Sequence, residues 1–441
     1  MTEGVIWKKM TFFALPLLLG NLFQQLYNTA DSLIVGNYLG SNALAAVSSA
    51  GTIIFFLVSF YIGLAMGAGV VIGNYIGAKD REQTQIAVHT TVALGLLIGT
   101  ILTVVGILLT PVLLRFVGTP AEVMPDSLTY FRIYYAGSIG FVSYNHLTGI
   151  LRAAGDSRHP LYYLIFSSVT NVILDIVFIR FFGMGVGGAA FATILAQFLS
   201  ALLCFYHLTH IDTDYRLDPK KIRIHVPTMK RIIRIGVPTG VQNSVIGLAN
   251  VVVQAHINYF GNMAMAGSGA YSKIEGFAFL PITSFNMATT TFIAQNIGAK
   301  QPDRARQGSR FGIICPVVIA ELVGIAIFAL APQMIALFDA TPEVVAFGMA
   351  RARVCTLFYF LLAYAHAMAA VLRGAGRSFV PMVIMLVFWC VVRVSLLEIA
   401  ALTLKRNIVY VNMVYPITWG LSCIAFTIYY LRFDFSKASI V

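Results

Sequence analysis

ALPLLLGNLFQQLYNTADSLIVGNYLG, residues 14–40, is apolar enough to cross a membrane as a helix, yet it carries Asn21, Gln24, Gln25, Asn28 and Asp31. Counted from Asn21, offsets of three, four, seven and ten residues place most of these polar groups on one helical face. A carboxylate near the middle of a spanning helix costs roughly 2.5–3.5 kcal/mol on insertion scales. Such a residue usually faces a cavity or a partner and marks an ion or substrate path.

The rest of the composition agrees with a membrane setting. Of 441 residues, 58% are hydrophobic and 11% charged, with a mean hydropathy of +0.81; a soluble domain is about 25% charged. The first ten residues are too short for the parts of a cleavable signal, so the first helix is expected to remain in the mature protein. The net charge of +12 lies in loops between apolar segments, which argues for membrane orientation rather than nucleic-acid binding. Five cysteines (Cys204, Cys315, Cys355, Cys390, Cys423) stand singly in apolar segments, with neither a CxxC nor a Cys/His spacing, and argue against disulfides and cysteine-based metal binding.

Apolar segments of spanning length recur twelve times, near 12–36, 44–76, 86–109, 127–151, 161–182, 187–208, 232–259, 265–297, 311–330, 348–371, 380–402 and 409–431. Alternate loops hold the basic residues, among them Lys8/Lys9, Lys79/Arg81, Arg152/Arg158, Lys220 to Arg234, Lys300 to Arg310, Arg373/Arg377 and Arg432/Lys437. The opposite loops hold little beyond Arg115, Arg180, Lys405 and Arg406. Both termini are therefore expected on the cytoplasmic side of the inner membrane. Arg132, Arg351 and Arg353 near outer helix ends are read as snorkelling side chains.

The chain also repeats itself. Leu151-Arg-Ala-Ala-Gly-Asp-Ser-Arg-His-Pro160 matches Leu372-Arg-Gly-Ala-Gly-Arg-Ser-Phe-Val-Pro381 at an offset of 221. Ile76-Gly-Ala-Lys79 matches Ile297-Gly-Ala-Lys300 and Pro111 matches Pro332 at the same offset; Pro16, Asn21 and Asn28 match Pro238, Asn243 and Asn250 at 222. The expected fold is an all-α integral membrane protein of twelve transmembrane helices. Residues 1–208 and 232–441 form two six-helix lobes, related by a pseudo-two-fold along the membrane normal and joined by a cytoplasmic linker, 209–231. An even number of helices per half gives both halves the same membrane sense, an arrangement common in transporters.

Acidic residues break the repeat. Asp31 corresponds to Val252 or Val253, and Asn171 and Asp175, four residues apart on one face, correspond to Val392 and Leu396. Two buried acids need neutralising by protons, a cation or basic side chains. Asp31, Asn171, Asp175 and Thr193 supply the oxygen donors that suit a hard cation such as Na⁺, while H⁺ would serve through the carboxyls alone. The bland reading is hydrogen-bonded packing between helices. In the second half, Asn243, Asn250, Gln254 and Asn258 share a face that mirrors the opening helix, and Gln254 is taken as cavity-lining. Lys273 and Glu275 point to different sides, and either contacts a charged substrate or is satisfied within the helix packing. His366 reads as a packing residue, and Pro16 as a bend able to move Asp31 or as a marker of helix entry.

With these residues in view, the chain resembles the multidrug and toxic compound extrusion (MATE) family over nearly its whole length. The likeness rests on Pro16…Gln24-Gln25-x-Tyr27-Asn28-x-x-Asp31-x-x-x-Val35-Gly36, on the two Leu-Arg-x-x-Gly-x-x-x-x-Pro loops and on Asn171-x-x-x-Asp175. The acidic pattern is similar to the DinF-like and MepA-like branch. The resemblance implies that Asp31, Asn171, Asp175 and Thr193 form the cation site of the N-terminal lobe. It also implies that Gln24, Tyr27, Asn28 and Asn145 line the substrate cavity. The NorM-like branch has acidic residues in helices seven and ten, where this chain has Asn, Gln and His366, so a C-lobe cation site is not expected.

The reading is a Na⁺- or H⁺-coupled antiporter that exports amphipathic, often cationic, organic compounds by alternating access. It would act as a monomer in the bilayer, without a cofactor. A lipid-linked-precursor flippase is the alternative transporter, but it calls for a cationic cavity, and the faces of helices one and five are acidic or neutral. A membrane-embedded enzyme lacks support, because HExxH and GxSxG pairings are absent.

Overall fold

The computed structural model describes residues 1–116, 119–403 and 407–438, though not the side chains of 41, 42, 44, 45, 48–57, 116 and 400–403. Lys405 and Arg406 of the sequence reading lie outside the described residues. The described chain folds into twelve long helical segments. The first six are α1 (Ile6–Leu39), α2 (Ser41–Gly77), α3 (Arg81–Phe116), α4 (Met124–Ala136 with Ser138–Ala153), α5 (Arg158–Ile176, continued as a π-turn to Phe181) and α6 (Gly185–His210). The second six are α7 (Val226–Asn258), α8 (Asn262–Gly298), α9 (Pro302–Ala336), α10 (Pro342–Cys355 with Tyr359–Gly374), α11 (Phe379–Met385 with Arg393–Thr403) and α12 (Ile408–Arg432). Both halves interrupt the fourth helix at matching places, at Gly137 and at the 3₁₀ turn Thr356–Phe358. A methyl group on Gly137 would sit 2.3 Å from Ile194 Cβ, so the break lets α4 approach α6 closely.

The repeat extends to backbone geometry. Gly40 and Gly261 take φ of 86° and 91° before α2 and α8, and Gly155 and Gly376 take 91° and 75° in the Leu-Arg loops. Lys79 and Lys300 also adopt left-handed φ, 56° and 54°, immediately after α2 and α8. A non-glycine residue there costs about 1 kcal/mol or more. Its recurrence at an offset of 221 shows that the two halves share helix ends as well as helix number.

Lipid-facing and interior helices also alternate alike in the two halves. In the most apolar windows of α3, α9 and α11, 28% of residues are buried, whereas α8 reaches 67% and the described part of α2 72%. Leu108, Leu322 and Ile424, more than half exposed, are surfaces that favour hydrocarbon over water.

The chain divides into two compact units: Leu15–Val237, and Met1–Ala14 together with Pro238–Ile440. Thus α1 and α7 each change unit within two residues of a proline, Pro16 and Pro238. In the C-terminal unit Met10 is fully buried in the core, the Met1 ammonium donates to Gln295 Oε1 at 2.9 Å, and Arg304 Nη2 donates to the Met1 carbonyl at 3.2 Å. In the N-terminal unit Gly67 of α2 lies so close to Gly236 of α7 that an added methyl would stand 2.5 Å from the Gly236 nitrogen. The basic linker is pinned to α3: Gln85 Nε2 donates to the carbonyls of Asp214 and Arg216, and the Asp218 N–H donates to His89 Nε2.

Candidate functional site

Within the N-terminal unit, α1, α5 and α6 bring the sequence-derived cation-site residues together. Asp31 on α1 and Asp175 on α5 interact carboxyl to carboxyl. Asp175 is fully buried and Asp31 half-buried; Asp31 Oδ1 and both Asp175 oxygens are shielded from solvent without a hydrogen-bond partner. One turn before Asp175, the buried Asn171 directs its Nδ2 to Thr193 Oγ1 of α6 at 3.3 Å and keeps its Oδ1 unpartnered. Thr193 itself donates to the Ala189 carbonyl at 3.0 Å, as a membrane-helix threonine commonly does. α5 leaves regular α-geometry at Val177–Phe181, directly after Asp175, and π-turns of this kind are frequent at functional sites.

Tyr27, one turn before Asp31, sets its hydroxyl beside Gln197 and Gln24 and within electrostatic reach of both carboxyls. The buried Tyr130 of α4 faces the same pair and stacks on Tyr134 at 6.3 Å. Gln197 and Tyr130 were not singled out from the sequence. Gln197 follows Thr193 by four residues, so the helical face that offered Thr193 also offered Gln197. Tyr130 carried no comparable signal. Asn28 is exposed, and Asn145 turns its Nδ2 back to the Phe141 carbonyl of its own helix at 2.9 Å.

In the C-terminal unit, Gln254 Nε2 donates to Asn258 Oδ1 at 2.8 Å, which ties two members of the polar α7 face to each other. Lys273 is exposed, with Nζ 5.4 Å from the centre of the Phe338 ring. Glu275 points elsewhere: its Oε2 accepts from Arg351 Nη2 at 3.3 Å. That pairing corrects the snorkelling assigned to Arg351, which is 6% exposed, while Arg132 and Arg353 do remain exposed. Arg351 lies inward because Ser268 and Ser272 of α8 also accept from its Nη1, at 2.7 and 3.4 Å. His366 is wedged edge-on between Phe279 and Trp389, centroids 5.5 and 5.2 Å away, as the packing reading expects.

A further group, Asp156 in the loop before α5, His159 of α5 and His207 of α6, brings ligand-type atoms within 4.8 Å of one another, which spacing along the chain does not reveal. Asp156 Oδ1 already accepts the N–H groups of Arg158 and His159 at the start of α5, and Oδ2 meets His159 Nδ1 at 2.5 Å.

Residues 16–177 and again 238–397 match the model of the MatE family. The chain is a member of that family. The probable multidrug resistance protein YoeA of Bacillus subtilis is 31% identical over 99% of this chain and 95% of its own length. The probable multidrug resistance protein NorM of Thermotoga maritima is 28% identical over 86% and 82%. An outward-facing multidrug resistance MATE transporter superposes with a TM-score of 0.90 at 24% identity, covering 99% of this chain and 98% of that one, a likeness of fold. This MatE protein is therefore a multi-pass membrane transporter of the multidrug efflux family, with two halves of six helices, and not an enzyme.

Proposed function

We propose that the protein is a cation-coupled antiporter of the inner membrane that exports amphipathic, often cationic, organic compounds by alternating access. The observation that carries this reading is the Asp31–Asp175 pair: two carboxyls near enough to interact, three of their oxygens shielded and unpartnered, and among the described residues no basic side chain in an ion pair with either. Adjacent acids in apolar surroundings draw in a positive charge, and Asn171 Oδ1 and Thr193 Oγ1 add neutral oxygens suited to Na⁺; H⁺ requires the carboxyls alone. Tyr27, Gln24 and Asn28 continue the polar face from this pair along α1, and Asn145 adds an amide from α4; we assign all four to the substrate path. Binding of the ion in the outward-open state and of substrate in the inward-open state drives exchange only if each prefers its own state. The basic loops fit cytoplasmic termini, and each unit carries its own buried core, which suits a working monomer.

The test is transport of a fluorescent organic cation in proteoliposomes under Na⁺ and pH gradients imposed separately. Asp31→Asn and Asp175→Asn are expected to bring gradient-driven export down to the level of empty vesicles. Intact export by both folded variants would overturn the coupling assignment, and the gradient that drives the parent names the ion.

A further inference from the structure

The repeat places a second charged cluster where the first one lies. Tyr130 matches Arg351 at an offset of 221, within a run that also aligns Arg132 with Arg353 and Leu151 with Leu372. Thr193 and Gln197 match Tyr415 and Trp419 at 222, as Leu199-Ser200 match Leu421-Ser422. Asn28 matches Asn250, and Arg393 falls one residue past the counterpart of Asn171. Of these matched positions in the C-terminal unit, Arg351 is itself a guanidinium group, and Tyr415 and Asn250 lie against Arg351 or Arg393.

Tyr415 lies between those groups, its ring centre 5.0 Å from Arg351 Cζ and 4.6 Å from Arg393 Cζ. Tyr271 and Trp389 cover the outer sides, 5.1 Å from Arg351 and 5.4 Å from Arg393. Arg393 is 1% exposed and, among the described residues, hydrogen-bonds to neutral groups. Its Nε and Nη2 reach Thr418 Oγ1 at 3.2 and 3.0 Å, and its Nη1 reaches Asn250 Oδ1 at 3.3 Å. Glu275 pairs directly with Arg351 and lies within electrostatic reach of both arginines. Two guanidinium groups against one carboxylate leave one positive charge in excess, and Arg351 Nε is buried without a partner. A structural tie needs one arginine for one carboxylate; the second remains unaccounted for. The cluster reaches the surface at Asn250 and Ser272, and 16% of the Glu275 side chain is open to solvent.

We propose that Arg351 and Arg393, on either side of Tyr415, form an anion-binding site in the C-terminal unit, which takes the carboxylate, sulfonate or phosphate of an aromatic organic anion. The guanidinium fork matches such groups in shape, and the ring-stacked arginines are already held in position. Asn250 Oδ1 is the displaceable partner: an arriving oxyanion replaces a neutral acceptor by a charged one and can take two parallel N–H groups of the guanidinium fork. The substrate class of the proposed exporter thereby extends to anionic and zwitterionic amphiphiles. This extension rests on the export reading, but the site itself is testable without a gradient.

The test is equilibrium binding to the purified full chain, followed by anisotropy of 5-carboxyfluorescein as the anion and rhodamine 6G as the cation. The parent is expected to bind carboxyfluorescein and to release it to excess benzoate but not to neutral methyl benzoate. Arg393→Gln should weaken carboxyfluorescein at least tenfold and leave rhodamine 6G within twofold, while Arg393→Lys recovers most of the anion affinity. Should Arg393→Gln fail to fold, the benzoate competition on the parent and the Arg393→Lys measurement decide. Absence of anion binding by the parent, displacement by methyl benzoate as effective as by benzoate, or unchanged affinity in a folded Arg393→Gln overturns the proposal. Cation export driven by Asp31 and Asp175 can stand when this site fails, and the site can stand when coupling fails, because the two are read in separate assays.

Discussion

The two units use one helical plan to bury opposite charge. The N-terminal unit brings Asp31 and Asp175 together with shielded, unpartnered oxygens, whereas the C-terminal unit gives its arginines a carboxylate, four hydroxyls, an amide and three rings. The difference teaches what a duplicated fold conserves. Helix ends, breaks and left-handed turns persist at the 221 offset, while the side chains at the polar centre of each half are free to change sign. An acidic centre left open invites a mobile cation. A basic centre closed by hydrogen bonds is stable at rest and leaves a smaller excess charge for a ligand.

The contrast can be broken most decisively at the carboxyl pair. Asp175→Asn removes one of two like charges and should not lower the melting temperature in detergent, even as it abolishes gradient-driven export. A marked loss of stability would mean that the pair is a structural tie. Glu275→Gln should act in the opposite sense. It strips the counter-charge from two buried arginines and should destabilise by about 3–5 kcal/mol, read as a lower melting temperature. If both substitutions shift stability alike, the two centres are not of opposite character.

A steric comparison comes next. Gly67→Ala places a methyl against the Gly236 backbone, where neither side can yield, and should cost about 1–3 kcal/mol. The matching positions in the other unit, Ala288 and Ala14, already carry methyl groups while 0% and 2% exposed, so Ala288→Gly should cost about 1 kcal/mol, the helix-propensity difference, plus whatever packing the methyl supplies. Chemical denaturation of the two variants side by side checks the ranking. The smallest effect is expected at Lys273, whose exposed ammonium over Phe338 contributes at most about 0.5–1 kcal/mol. Lys273→Ala should leave folding and carboxyfluorescein binding within twofold of the parent, which would separate it from Arg351 and Arg393.

Much of this is legible in the amino-acid sequence. Twelve apolar runs and a constant offset give the duplicated helical fold, because spanning length and repeat register are properties of the chain itself. The unmatched Asp31, Asn171 and Asp175 stand out for the same reason, as polar groups in the wrong solvent. Gln197 was legible in principle from its spacing to Thr193. Arg351 was misread because its position near a helix end looked like snorkelling, and nothing in the local sequence says that Ser268, Ser272 and Glu275 of another helix lie opposite it. Periodicity tells which face of a helix is polar but not which face it meets.

The sequence by itself thus determined the number of helices, the duplication and the existence of acids in an apolar half. Tertiary structure supplied the approach of the Asp31 and Asp175 carboxyls, which the sequence grouped only through family resemblance, and alone decided that Arg351 and Arg393 enclose a single tyrosine. It also decided that α1 and α7 change unit beside their prolines. These outcomes depend on which helices approach one another, and that is set by close contacts such as Gly67 on Gly236 and by the packing of whole faces, which no single stretch of chain encodes.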